Sequence, residues 1–528
     1  MRVFWVASMC TWWVAVGLTG CGGGSASTTD APAISPQAGA SAPAPLAADA
    51  ILLQNIRAGM SDAAVHNVLD DLPWGPPSVW QPGFAYVQGD VVRGLEGDES
   101  HQYIAMTASG PSSTVGPGPS GAGDGPIQDG GVTWYYDGEV RLPRADPGQA
   151  TVRWGRPSDL LKDWPGFQTV TPSLEAPVGQ FGGGIVALDP GMPVPVVTVF
   201  GGNGGTPARP VYQAPATASL TFSTDSDRVL LQSFNAIYPR QRMVIEVNGR
   251  RLSDGQVSLP ADTALINPGG FEIDFSQTSL KGLAKQIRIR TTEGFAITAY
   301  RLITEAGSRI WVEPSPHHWK LAVEGDSLTQ GGYNTPYQPG QDWVTQMGQL
   351  IGCDDVSNLA QGGTGFISDN GGRKTRYEQR VERLASLQAD VYLIAGNHND
   401  SSYPREQQIE AALSYLRRLR ALQPDAVIVV AGNNPLQGES TVAGPIVEAE
   451  KNLRTAFDLW ADPNALFLPI STDPGGPWIT GSGAVDHPMG DGNMDHFYIT
   501  RDGHPLQRGV DYFARRYARA LAGLFQSP

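Results

Sequence analysis

Four short blocks of the 528-residue sequence carry side chains suited to covalent or electrostatic chemistry. Gly325-Asp326-Ser327-Leu328-Thr329 offers a hydroxyl, and Asn358-Leu359-Ala360-Gln361-Gly362-Gly363 a glycine-rich turn. Gly396-Asn397-His398-Asn399-Asp400 offers side-chain amides, and Asp502-Gly503-His504-Pro505 an imidazole next to a carboxylate. A serine hydroxyl is a weak nucleophile until a base takes its proton, and histidine is the side chain best suited to that near neutral pH. Ser327 with His504 therefore points to nucleophilic acyl transfer. Each block also has a plainer reading: a serine after a strand is commonly a helix cap, paired glycines a turn, and a histidine in a Gly/Pro loop simply exposed.

The elements around the blocks favour the chemical reading. Leu321-Ala322-Val323, Val391 to Ala395, Ala426 to Ala431 and Ala465 to Ile470 are continuous apolar runs, the signature of parallel strands buried on both faces. Glu406 to Leu422 places Ile409, Leu413, Leu416 and Leu422 on one helical stripe, and Val510, Phe513, Tyr517, Leu521 and Leu524 form another at the end. Strands alternating with helices predict a doubly wound α/β domain, in which reactive groups gather at the carboxyl ends of the strands. Ser327 and Asn399 both follow such strands.

In that order the blocks resemble the SGNH/GDSL hydrolases, a family of serine esterases with a flavodoxin-like parallel sheet. The resemblance implies Ser327 as nucleophile, His504 as base and Asp502 as its orienting carboxylate. It also implies an oxyanion hole made by the backbone N–H groups of Ser327 and Gly363 and the side-chain amide of Asn399. Two spacings depart from the family pattern. The glycine expected two positions before the asparagine is Asn397, with Gly396 one step further back, so Asn397 is an outside candidate for the amide role. The Asp-x-x-His block is one residue short, leaving Arg501 at the expected aspartate position. Asp495-His496 is the rival pair and His487 a third candidate histidine.

Upstream, Arg2 precedes an apolar run from Val3 to Leu18 that ends in Leu18-Thr19-Gly20-Cys21, the layout of a secretory signal. Leu-Thr-Gly-Cys resembles the lipobox of bacterial lipoproteins, which implies lipidation of Cys21 and attachment to the cell envelope by lipid alone. Cys10 lies in the signal and Cys353 has no partner, so no intrachain disulfide is expected. Residues 1–21 are thus read as signal peptide and 22–75 as a Gly/Ser/Ala/Pro tether with a short helical pattern around Ile51 to Leu72.

Residues 76–140 are rich in aromatics spaced by Gly and Pro and read as a small β module. Trp80, Tyr86, Trp134 and Tyr136 suit either stacking on sugar rings or the whole core of a domain too small to have another. Residues 141–316 hold short alternating runs, among them Ser219 to Phe222, Arg228 to Ile237, Met243 to Val247, Phe271 to Phe275 and Ile287 to Ile289, with Asn248-Gly249 as a hairpin signal. They predict a β-sandwich, and 317–528 the hydrolase domain.

A formal net charge of −15, with no dense Lys/Arg stretch, argues against a nucleic-acid partner. No cofactor is implied, and no metal, because the histidines show no ligand spacing outside the blocks above. The leading expectation is removal of O-acetyl groups from an acylated polysaccharide, since β modules precede the catalytic domain. A lipase, lysophospholipase or thioesterase is the alternative within the family, and an inactive surface-binding protein the alternative outside it.

Overall fold

The four runs of Val, Leu, Ile and Ala after residue 320 form four of the five strands of a parallel sheet, because β-branched and aliphatic residues fill both faces of a covered sheet. The computed structural model describes residues 78–526 apart from several loop stretches, the longest being 140–149, 201–216, 259–268 and 331–341, and apart from Arg501 and Asp502; before residue 78 it describes Gln54 and Arg57. The signal segment, Cys21, the tether and most of the Ile51 to Leu72 pattern lie outside the described residues.

In the C-terminal domain the strands are β1 (Lys320–Glu324), β2 (Asp355–Asn358), β3 (Val391–Ala395), β4 (Val427–Ala431) and β5 (Ala465–Leu468). The sheet order is 2-1-3-4-5, all parallel. This is the flavodoxin-like winding, whose strand order reverses beside β1 and opens a crevice there. The helices are α1 (Ser327–Gln330), α2 (Trp343–Leu350), α3 (Tyr377–Ala385), α4 (Arg405–Leu422), α5 (Pro445–Trp460), α6 (Met494–Phe497) and α7 (Gln507–Gln526). Two apolar layers sandwich the sheet. One holds α2 and α7, with Trp343, Val510, Phe513 and Tyr517 against Leu321, Val323 and Leu393; the other holds α3, α4 and α5 against Ala322, Tyr392 and Ile428. Cys353 is buried in the first layer, its thiol 3.4 Å from the Trp319 carbonyl oxygen.

The α4 stripe is rotated from its expected position. Gln408, Ala412, Tyr415, Leu416 and Leu419 face inward, Ile409 and Leu413 are half-buried, and Leu422 is exposed. Small Ala412 admits close approach, and the Tyr415 ring fills the layer against Phe366 and Tyr377.

Between Thr151 and Trp311 the described strands form an antiparallel β-sandwich. Leu220, Phe222, Ile245, Val247, Ile287 and Ile289 from one sheet meet Val229, Leu231, Phe271, Ile273 and Leu302 from the other. The Asn248-Gly249 signal holds: Val247 pairs with Arg250 across it, and Asn248 takes φ 52°.

The small module is a five-stranded sheet. Trp80 (2% exposed), Tyr86 (8%) and Trp134 (0%) lie inside it, and Tyr136 is half-buried at the core edge. Both indole N–H groups donate to Oδ2 of the buried Asp129, at 2.8 and 3.0 Å, and Gly118 lies against the Trp80 ring. This corrects the sugar-stacking expectation for Trp80, Tyr86 and Trp134. A sheet of this size has few and mostly small other apolar side chains, Val92, Ala105 and Val132 among them, so its large aromatics turn inward to exclude water.

Candidate active site

β1 delivers Gly325-Asp326-Ser327 to the reversal point of the sheet. Asp326 Oδ1 accepts the N–H of Leu328 at 2.9 Å, and the Asp326 carbonyl accepts the N–H of Gln330 at 2.8 Å. The cap of α1 is therefore Asp326, and capping makes no demand on the Ser327 hydroxyl. Ser327 is half-buried at the start of that helix.

The glycine-rich turn follows β2 and is fastened to α1. Asn358 Nδ2 donates to the Thr329 carbonyl at 2.8 Å, Gln361 N–H to the Gly325 carbonyl at 2.9 Å, and Gly362 N–H to Gln330 Oε1. Gly363 has φ +74°, a left-handed conformation that favours glycine. The third block follows β3. Asn399 Nδ2 donates to the Thr364 carbonyl at 3.0 Å, which joins the second and third blocks and leaves the other amide hydrogen to serve a ligand.

Asn397 is committed elsewhere. Its N–H donates to Asn433 Oδ1 at 2.7 Å, its Oδ1 accepts from Asn433 Nδ2 at 2.7 Å, and its Nδ2 donates to the Ala449 carbonyl at 3.1 Å. It ties the ends of β3 and β4 to α5 and is buried, whereas Asn399 is partly exposed.

His504 precedes α7 in a loop whose Gly503 carbonyl accepts the Gln437 N–H at 3.0 Å. Its Nε2 atom is shielded from solvent. Burial pushes the Asp326 carboxyl up, and His398 and His504 both lie near enough to pull it back. Asp502 lies outside the described residues. The rival Asp495 is buried in its own turn, where Oδ1 accepts the Met489 N–H at 3.0 Å and Oδ2 the Gly490 N–H at 2.6 Å. His496 lies in α6, and His487 closes a turn by backbone hydrogen bonds with Ala484.

Three groups beyond the expected residues build the site. Arg380 on α3 forms a fully buried ion pair with Glu324, the last residue of β1, and donates from Nη1 to Gln361 Oε1 at 2.7 Å, Thr364 Oγ1 at 3.1 Å and the Thr375 carbonyl at 2.6 Å. One guanidinium thus holds the Ser327 strand and the Gly363 turn together. An acidic residue ending an otherwise apolar buried run was the available signal, since such a charge requires a buried counter-ion. His398 sits between the Asn434 carbonyl (3.3 Å from Nδ1) and Glu439 (3.6 Å from Nε2), linking the third block to the loop that also holds Gly503.

Asp400 is the third group. Its carboxylate accepts the N–H groups of Phe366 (2.7 Å), Ile367 (3.2 Å) and Ser368 (2.8 Å), and Gly365 lies so close that a Cβ there would stand 2.5 Å from a carboxylate oxygen. Burial pushes Asp400 up from its ordinary 3.8 to about 6, against the pull of those three donors. A raised folded-state pKa stabilises the fold fully at pH below the ordinary value, and that contribution is lost as pH rises through about 6. The stability of the parent relative to Asp400→Asn should therefore fall between pH 4 and 7 by roughly 3 kcal/mol at most. Denaturant unfolding of both proteins across that range checks it; identical pH slopes would refute the shift.

The two asparagines of the third block should separate cleanly. Asn399→Ala should lower kcat on short esters on the order of a hundred- to a thousandfold, as expected of an oxyanion donor, with only a small loss of thermal stability from the one bond to the Thr364 carbonyl. Asn397→Ala should instead lower the melting temperature, because it orphans the Asn433 amide. The opposite pattern in paired kinetic and thermal measurements would exchange their roles.

The doubly wound sheet, with these loops at the carboxyl ends of its strands, is a flavodoxin-like α/β domain. Residues 323–521 match the GDSL-like Lipase/Acylhydrolase family, and this part of the chain is an SGNH/GDSL hydrolase domain. Among solved structures, a family two carbohydrate esterase from Cellvibrio japonicus is 14% identical, with 68% of this chain and 98% of that chain covered and a TM-score of 0.48. An acetyl xylan esterase from the rumen bacterium Butyrivibrio proteoclasticus is 14% identical, with 69% and 100% covered and a TM-score of 0.43. A salicylyl-acyltransferase from a tetracycline biosynthetic pathway is 14% identical, with 68% and 99% covered and a TM-score of 0.47. No curated protein matches this chain.

Proposed function

We propose that this esterase removes O-acetyl groups from a polysaccharide through an acyl-enzyme on Ser327. The reading is supported by the family match over residues 323–521, with the hydrogen bonds that join the Ser327 turn, the Gly363 turn and Asn399 beside it. Ser327 Oγ attacks the ester carbonyl while His504 takes its proton and then returns it to the leaving sugar hydroxyl. Asp502 orients the imidazole and stabilises its cation. The N–H groups of Ser327 and Gly363 and the Asn399 amide hold the oxyanion. In the second half-reaction His504 activates water, which releases acetate.

Two features support a short acyl group on a hydroxylated carrier. The loops after β3 and β4 contribute Asn399 and Glu439, partly exposed polar side chains that suit a sugar better than an alkyl chain. A β-sandwich and a second β module precede the catalytic domain, a build suited to a large polymer. Export and lipidation at Cys21 complete the reading, on the strength of the N-terminal segment.

One experiment tests both parts. Envelope fractions of cells expressing the protein should release acetate from acetylated xylan faster than they cleave long-chain p-nitrophenyl esters, and Cys21→Ala should move that activity to the soluble fraction. Preference for long acyl chains would hand the substrate to the lipase alternative, and envelope retention of Cys21→Ala would refute the anchor.

A further inference from the structure

The small β module is seated on the loop that carries His504. Along its last strand, Val132–Glu139, Val132 and Trp134 point into the module's own core. Tyr135 faces the other way and packs on Val485, Ile499 and Leu506 of the hydrolase domain, each 0–1% exposed. The same strand touches α7. Asp486 is near enough to join burial in pushing the Tyr135 phenol up.

Those three hydrolase residues form a hydrogen-bonded unit with the His504 loop. Val485 N–H donates to the Tyr498 carbonyl at 2.9 Å, Thr500 N–H to Asp486 Oδ1 at 2.9 Å, and Leu506 N–H to the Phe497 carbonyl at 2.7 Å. A β-bridge joins Tyr498 to Pro505. Leu506 lies two residues beyond His504, so the ground on which the imidazole stands is a cluster of three aliphatic side chains roofed by one tyrosine from another module. Three such side chains exclude little water alone, and a region with few apolar contacts opens readily.

We infer that Tyr135 is a positioning residue for His504, and that the small module acts as a fixed part of the catalytic unit. The inference rests on His504 being the base. A freely tethered module would leave turnover independent of Tyr135, whereas a seated one sets the rate through loop geometry, where a displacement of about 1 Å costs up to roughly a hundredfold.

The test uses the full chain and p-nitrophenyl acetate. Tyr135→Ala should lower kcat about ten- to a hundredfold with KM little changed, and should raise hydrogen exchange in peptides spanning 497–506. Tyr135→Phe keeps the ring and should restore both readouts. Because Tyr135 points away from the module's core, its truncation leaves that core intact; Ile499→Ala, on the opposite side of the contact, should reproduce the kcat loss. Parental kcat in Tyr135→Ala and Ile499→Ala, with parental exchange in 497–506, overturns the inference. Full activity in His504→Ala, run alongside, overturns the base assignment instead, and the exchange readout still reports whether Tyr135 holds the loop.

Discussion

Ser327→Ala and His504→Ala should each remove nearly all esterase activity, with losses in kcat on the order of a millionfold for p-nitrophenyl acetate, and the double variant should be little worse than either single one. Nucleophile and base act as a unit. Without the hydroxyl no acyl-enzyme forms, and without the imidazole the hydroxyl keeps its proton and the leaving alcohol receives none. The residual rate comes from the oxyanion donors and substrate binding, on the order of a thousand- to ten-thousandfold over water. Neither substitution should unfold the protein, since Asp326 rather than Ser327 caps α1. Burst kinetics with the parent, absent from Ser327→Ala, would locate the acyl group. Full activity in Ser327→Ala would sink the mechanism.

Asp502→Ala should lower kcat by roughly ten-thousandfold while Asp495→Ala stays active. The contrast follows from where Asp495 spends its carboxylate. Both oxygens are engaged by backbone N–H groups of Met489 and Gly490, so its removal should cost stability, about 1–3 kcal/mol for the orphaned donors, and leave the imidazole orientation to Asp502. Kinetics and thermal unfolding of the two variants side by side decide the matter. An inactive Asp495→Ala beside a silent Asp502→Ala would reverse the assignment and show that the shortened Asp-Gly-His spacing does not orient the base.

The architecture of the hydrolase domain was legible because its strands are buried on both faces. Val391–Ala395 matches its strand end to end, and the runs after Asp425 and Asn464 err only at their ends, since apolarity continues past the last ladder bond. β2 escaped notice: Asp355-Val356-Ser357-Asn358 lies at the sheet edge and is only partly buried, so its side chains carry no apolar pattern. The Ser327 turn, Gly363 and Asn399 were legible as local blocks, because each depends on a few adjacent residues at a strand end.

What only the tertiary structure decided is which polar groups are already engaged. Sequence spacing left Asn397 as an outside candidate beside Asn399, and gave no sign that the Asn433 amide from another loop engages Asn397. Likewise nothing in the spacing of Asp495 announces that its carboxylate already accepts the N–H groups of Met489 and Gly490. Aromatic spacing in the small module fits a platform and a core equally well; the buried Asp129, receiving both indole N–H groups, decides for the core, while Tyr135 turns outward to the His504 loop. Arg380 lies 56 positions from Glu324, and nothing local in either segment announces the other. Apolar periodicity is a property of neighbours in sequence and fixes the layers, whereas a hydrogen bond or buried ion pair is a property of neighbours in space, and the site is made of those.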